Sequence, residues 1–232
     1  MPLRKNRFRE AELMDLINNM SAQLTGLEGV LGSTIAFTLK QPKRRKIIAR
    51  INTHGKKLAA ISKNSSISLL PRWSPKGDAI VYTTLSRTGT AIIYNNFKNR
   101  PVKLLRSNTS ATRASNNFLS VSGGSWFSRG RKLVVTLSRR GNTDLYSFDR
   151  QKRKETRLTT HRSIDTVPDL SADNKQLIFV SDRTGHEQIF YLQLGTKIPF
   201  QLTFGRGSSS DPAWSPDGTL IAYSKISNGH SQ

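Results

Sequence analysis

Few residues in this 232-residue chain could do chemistry, and they are scattered. There is no cysteine, so no disulfide, thiolate nucleophile or thiolate metal ligand is available. The four histidines, His54, His161, His186 and His230, form no His-Glu-x-x-His pattern and read as loop residues. A serine nucleophile on a sharp turn carries the pattern Gly-x-Ser-x-Gly, which does not occur. Gly123-Gly124-Ser125-Trp126-Phe127 comes nearest, but it lies in a stretch that reads as a strand. Asp165, Asp173, Asp182 and Asp217 recur at turns, where bonding to the local backbone accounts for an aspartate. No phosphate-cradling Gly-x-x-x-x-Gly-Lys loop is present. The expectation is a protein that is not an enzyme, with no catalytic residue, cofactor or metal site.

Charge offers a different chemistry. Lys and Arg total 37 against 15 Asp and Glu, a formal net charge of +22. Such an excess attracts polyanions. The cations run through the whole chain, with one local cluster at Lys43-Arg44-Arg45-Lys46 that reads as a hairpin tip. This dispersal describes a generally basic surface better than a nucleic-acid reader, and no small-molecule substrate is implied. No run approaches the roughly 18 apolar residues of a membrane span. The basic start Met1–Arg7 has no apolar stretch after it, so no secretory signal is expected there.

The elements come next. Leu13, Leu16, Ile17, Met20 and Leu24 fall on one stripe of a helix expected over about residues 4–25, closed by Gly26. Packing of that stripe on a neighbouring domain is expected rather than a membrane surface. Strands Thr34–Leu39 and Lys46–Ile51 follow, joined by a basic turn at 41–45, and Leu58–Ile61 makes a third.

A repeat then takes over. Its cleanest copy is Trp214-Ser215-Pro216-Asp217-Gly218 followed by the apolar strand 220–223. Proline presets φ, aspartate bonds its own backbone and glycine supplies a positive φ, so this is a turn with a mechanism. Trp73, Trp126 and Leu170 open the earlier copies; the last two intervals are 44 residues and the first is 53. The nine extra residues fit the polar stretch Ser107–Asn117, read as a loop insertion. Each copy continues with a hairpin of one design, Leu85–Gly89, Leu137–Gly141 and Ser181–Gly185, a third strand, and a fourth ending near Leu105, Thr159 or Thr203. Four short antiparallel strands per 44 residues describe a propeller blade.

These motifs resemble the propeller repeats of the TolB family, part of the bacterial Tol–Pal system. Leu24–Val30 followed by Ser33–Phe37 is similar to that family's junction between amino-terminal domain and first blade. Gly141-Asn142-Thr143 and Ile164-Asp165-Thr166 before Pro168 also look like TolB, and the resemblance covers roughly residues 12–232. It implies an all-β fold: an incomplete six-bladed propeller, about four and a half blades, preceded by one α-helix. Residues 1–32 would be a remnant of the amino-terminal domain and 33–232 the partial propeller. Blade one would lack its first strand. Gln232 takes the repeat position of Gln188, so blade five would stop before its third strand. An open propeller exposes unpaired strand edges, so a fragment, split gene product or degenerate copy that is poorly monomeric is expected.

The resemblance also implies a role. In TolB the face formed by the loops before each first strand and the second-to-third-strand hairpins is where the lipoprotein Pal docks. Carried over by motif, the partner-binding candidates are Ser120, Ser122, Asp165, Thr166, Arg183, His186, Ser210 and Asp211. The expected function is a non-catalytic periplasmic scaffold that binds Pal and supports outer-membrane integrity, envelope invagination and cell division. A contact with TolA is not expected, since in the family the extreme amino terminus makes it. The alternatives are a basic propeller fragment that binds polyanions and a non-functional gene fragment.

Overall fold

The repeated turn sets the geometry, and the computed structural model builds it four times. It describes residues 14, 17–23, 32–42, 45–63, 66–107, 120–227 and 230–231. In each copy the fourth residue takes a positive φ: Gly77 at 68°, Gly130 at 66°, Asn174 at 59° and Gly218 at 73°. Its N–H donates to the carbonyl three residues back, at Ser74, Phe127, Ser171 or Ser215, over 2.8–2.9 Å. Where the first residue is serine, its hydroxyl also accepts the N–H five residues on, at Ala79, Gln176 or Leu220. One short side chain thus bonds both arms of the turn, as expected from turn chemistry.

The chain divides into two units, Met1–Asn64 and Ser65–Gln232, and the boundary expected between residues 32 and 33 falls inside the first. In the first unit Met14 and residues 17–23 are helical. Ile17 and Met20 of the expected apolar stripe are 43% and 50% exposed, so this part of the stripe is only half covered. Leu13, Leu16 and Leu24 lie outside the described residues, as do Lys43 and Arg44. β1 (Thr34–Gln41), β2 (Arg45–Asn52) and β3 (Ala59–Ala60) form a three-stranded antiparallel sheet in that order.

The second unit carries four sheets. β4 (Ile67–Trp73), β5 (Ile80–Ser86), β6 (Gly89–Asn95) and β7 (Val102–Arg106) make the first. β8 (Ser120–Ser122), β9 (Lys132–Arg139), β10 (Asn142–Asp149) and β11 (Lys154–Arg157) make the second. β12 (Asp165–Leu170), β13 (Gln176–Ser181), β14 (Gln188–Gln193) and β15 (Phe200–Gln201) make the third. β16 (Ser208–Trp214), β17 (Ile221–Ser227) and β18 (His230–Ser231) make the last. β18 pairs Ile226 with Ser231 and Ser227 with His230, so a third strand begins two residues earlier than the repeat spacing led us to expect. The insertion expected within 107–117 lies, from residue 108 on, outside the described residues.

Four of the five sheets close with a hydroxyl. Thr159 and Thr203 accept the N–H of Leu145 and Ile189 at 3.0 and 2.9 Å, just past the end of the fourth strand. Ser107 does the same for Thr90 at 2.8 Å. Ser62 closes on Ile48 at 2.9 Å, after β3. By that equivalence β1, β2 and β3 correspond to the second, third and fourth strands of the four-stranded sheets.

Successive sheets of the second unit pack face to face because their middle strands are apolar on both faces. Leu133, Val135 and Leu137 of β9 join Val81, Ile92 and Trp126 in one cluster. Val134, pointing the other way, joins Leu170, Leu177 and Phe179 in the next. A period of two therefore sends alternate residues into two different cores. Full burial of a side chain of this kind contributes about 2 kcal/mol. Gly124 passes where no side chain fits, since a Cβ there would lie 2.8 Å from Pro168 Cγ and closer still to the Val134 carbonyl oxygen.

Candidate functional site

The site grows out of the hairpins between second and third strands. Glycine enters each third strand at a positive φ, Gly89 at 105°, Gly141 at 82° and Gly185 at 91°, and an arginine precedes it by two residues. Those arginines are Arg87, Arg139 and Arg183. Arg183 Nη2 donates to both carboxylate oxygens of Asp165, at 2.9 and 3.1 Å, while Nε donates to Ser181 Oγ at 2.9 Å. The guanidinium also lies over the Phe190 and Phe179 rings, 4.6 and 5.6 Å from their centroids. Asp165 is 0% exposed, so its charge is tolerated through this pairing. A planar fork that stacks and bonds at once is something arginine supplies and lysine does not.

A second cluster sits on the neighbouring sheet. Arg139 pairs with Glu155 at 2.8 Å and lies over the Tyr146 ring. Arg157 pairs with Asp144 at 2.7 Å and donates from Nε to the Thr159 carbonyl. Asn142 Nδ2 reaches both Asp144 and the His161 carbonyl, tying the hairpin to the connection that follows β11. Burial pushes the Asp144 carboxyl above its usual range, against the opposing pull of Arg157. These groups, with Arg140, line a cavity of about 430 Å³.

Facing the hairpins are the first strands, and three of them carry the same distortion. Leu70, Val167 and Asp211 have φ of 56°, 48° and 50°, and each directly precedes a proline: Pro71, Pro168 or Pro212. The ladder shifts at each, between Leu69 and Arg72, Thr166 and Asp169, and Ser210 and Ala213. A residue before proline normally stays extended, and a β-branched residue at positive φ is a strong outlier. Each such residue stores about 1–3 kcal/mol of strain. Gly123 takes the equivalent place in the remaining sheet.

The sequence candidates fall into two groups. Ser120 is exposed and Ser122 half-buried on β8, Thr166 is half-buried on β12, and Ser210 half-buried on β16. Asp211 is exposed beside Ser210, and His186 is exposed on the β13–β14 hairpin. Arg183 and Asp165 are brought together, and Asp165 requires a correction. It is neither a turn residue nor accessible to a partner, because its carboxylate is buried within the arginine fork. Asp173 and Asp217 do bond their own turns, and Asp182 accepts the Ile164 N–H. Ser125 Oγ donates to Asp169 and accepts the Leu170 N–H, so its partners are a carboxylate and an amide, not an imidazole.

Sequence reasoning missed Asp169. Its two oxygens accept Ser125 Oγ and the Trp214 N–H, both at 2.9 Å, linking three successive sheets. The signal lay in the repeat: Ser125, Asp169 and Ala213 stand one before each of the last three anchors, 44 residues apart.

Comparison with known proteins agrees with this geometry. A family model described as the TolB β-propeller domain matches residues 22–232. A TolB homolog of Chlorobium luteolum is 34% identical over 175 residues, 75% of this chain and 37% of that protein. The Tol–Pal system protein TolB of Helicobacter pylori is 28% identical over 151 residues, 65% of this chain and 34% of that protein. The chain thus spans little more than a third of the length of these curated relatives. The crystal structure of TolB from Acinetobacter baumannii superposes with a TM-score of 0.82 at 24% identity, covering 99% of this chain and 56% of that one.

Proposed function

The chain belongs to the TolB β-propeller family, and on that premise we propose that it is a non-catalytic docking scaffold of a Tol–Pal system in the periplasm. It binds Pal and thereby supports outer-membrane integrity, envelope invagination and cell division. The observation that supports this reading best is the bracing of the hairpin end by Arg183 on Asp165 and Arg157 on Asp144. The first of those pairs fixes the hairpin that carries exposed His186, while Ser120 on β8 and Asp211 on β16 are exposed on first strands. Preorganised loops keep more of the contact energy, because less is lost in ordering them on binding.

In this reading Ser120, Ser122, Thr166, His186, Ser210 and Asp211 contact Pal. Arg183 and Asp165 hold the hairpin that carries His186. Calorimetric titration with the soluble domain of Pal tests the reading, with saturable one-to-one binding expected. No heat of binding at concentrations well above the micromolar range would overturn it.

A further inference from the structure

The opposite end of the same sheets has a different character. The turns from first to second strand and from third to fourth strand lie there, since neighbouring strands run antiparallel. They form one continuous end: Ser128 N–H and Oγ bond the Asn174 side chain at 2.6 Å, and Arg153 reaches the Leu104 carbonyl at 3.0 Å. Across the first three sheets of this unit, segments 74–78, 96–101, 127–132, 149–154, 171–175 and 194–199 hold twelve Lys and Arg against three Asp.

Each of those three carboxylates is bonded within its own turn, Asp149 buried and Asp78 and Asp173 exposed. Asp78 accepts Ser74 Oγ, Asp173 accepts Ser171 Oγ and the Lys175 N–H, and Asp149 takes Arg131 with the Gln151 and Lys152 N–H groups. Most of the cations, Lys98, Arg100, Arg129, Lys152, Lys154 and Lys197 among them, are exposed. At the hairpin end Arg139, Arg157 and Arg183 are each held by a carboxylate, while Arg87 and Arg162 are exposed.

Apolar side chains stand among the exposed cations. Ile198 is 71% exposed next to Lys197 and Phe200 60% exposed two residues on, Phe97 is 41% exposed next to Lys98, and Val102 is 47% exposed two residues after Arg100. Phosphate contacts alone would account for the lysines and arginines but not for an aliphatic tip such as Ile198. A bilayer surface accounts for both, since apolar tips enter the acyl boundary while the neighbouring cations stay with the headgroups. We infer that this turn end is a docking surface for an anionic lipid membrane, leaving the hairpin end turned away from the bilayer.

Flotation of the full chain with vesicles of phosphatidylcholine, with and without phosphatidylglycerol, tests this. The protein is expected to float with the anionic vesicles only. Each neutralised lysine is expected to weaken partitioning about fivefold at low salt. Lys152→Ala with Lys154→Ala, at two exposed turn positions, therefore lowers it about thirtyfold. Ile198→Ser weakens it severalfold, whereas Arg162→Glu at the other end leaves it unchanged. Three results would overturn the inference: no flotation, equal flotation with both vesicles, or equal effects of the lysine pair and Arg162→Glu. A fourth is an Ile198→Ser protein that floats normally and is displaced by duplex DNA, which would assign the face to nucleic acid.

Discussion

Arg183 bonds Asp165 and Ser181 while lying over two phenyl rings, and only 13% of its side chain is exposed. Removing it strands a carboxylate that is itself 0% exposed. Arg183→Ala is therefore expected to lower the unfolding free energy by about 4 kcal/mol, read from a denaturant transition. The pairing was not legible from sequence. Both residues stood out as motif members, but the motif gives loop positions and says nothing of which side chains meet across strands 18 residues apart. Asp149 behaves differently. The Lys152 N–H, then Arg131, hold its carboxyl down to about 2, below the unfolded value of roughly 3.9. Its contribution is thus present above pH 4 and lost as pH falls through about 2. Carboxyl titration by NMR should give that midpoint, and Arg131→Ala should raise it.

The turns, hairpins and most strands were legible because their chemistry is local. A serine, a proline and a glycine within four residues specify their own bonds in two copies, and the other two, 127–130 and 171–174, make the same one. The strained first strands were not legible. Leu70-Pro71, Val167-Pro168 and Asp211-Pro212 are visible as dipeptides, but local preference puts the first residue of each at negative φ. Tertiary pairing overrides that preference, since the ladder resumes on the far side of each bulge. The close approach at Gly124 was hidden for a similar reason: its neighbours, Val134 and Pro168, come from other strands. Gly124→Ala is expected to cost about 3 kcal/mol. Gly123→Ala, whose added Cβ would meet Thr83 Oγ1 at 3.4 Å, should stay within about 0.5 kcal/mol. Paired thermal melts of the two variants check the contrast.

At the scale of the whole molecule, the second unit has two unlike ends built from one repeat. The antiparallel order sends the hairpins, two of them with ion-paired Arg139 and Arg183, to one end and turns with exposed lysines to the other. The 44-residue period makes the fold readable. It does not make the function readable, because a propeller is a platform and its partner is set by a few exposed side chains. Net charge alone could not distinguish the two ends either, since pairing is invisible in composition. The proposed assignment places a protein partner on the braced end. It is tested most directly by measuring the affinity of the soluble Pal domain for the chain and for its Asp211→Arg and His186→Glu variants. Measurable binding that falls about tenfold in each variant is the predicted result. No binding, or unchanged affinity in both variants, would contradict it.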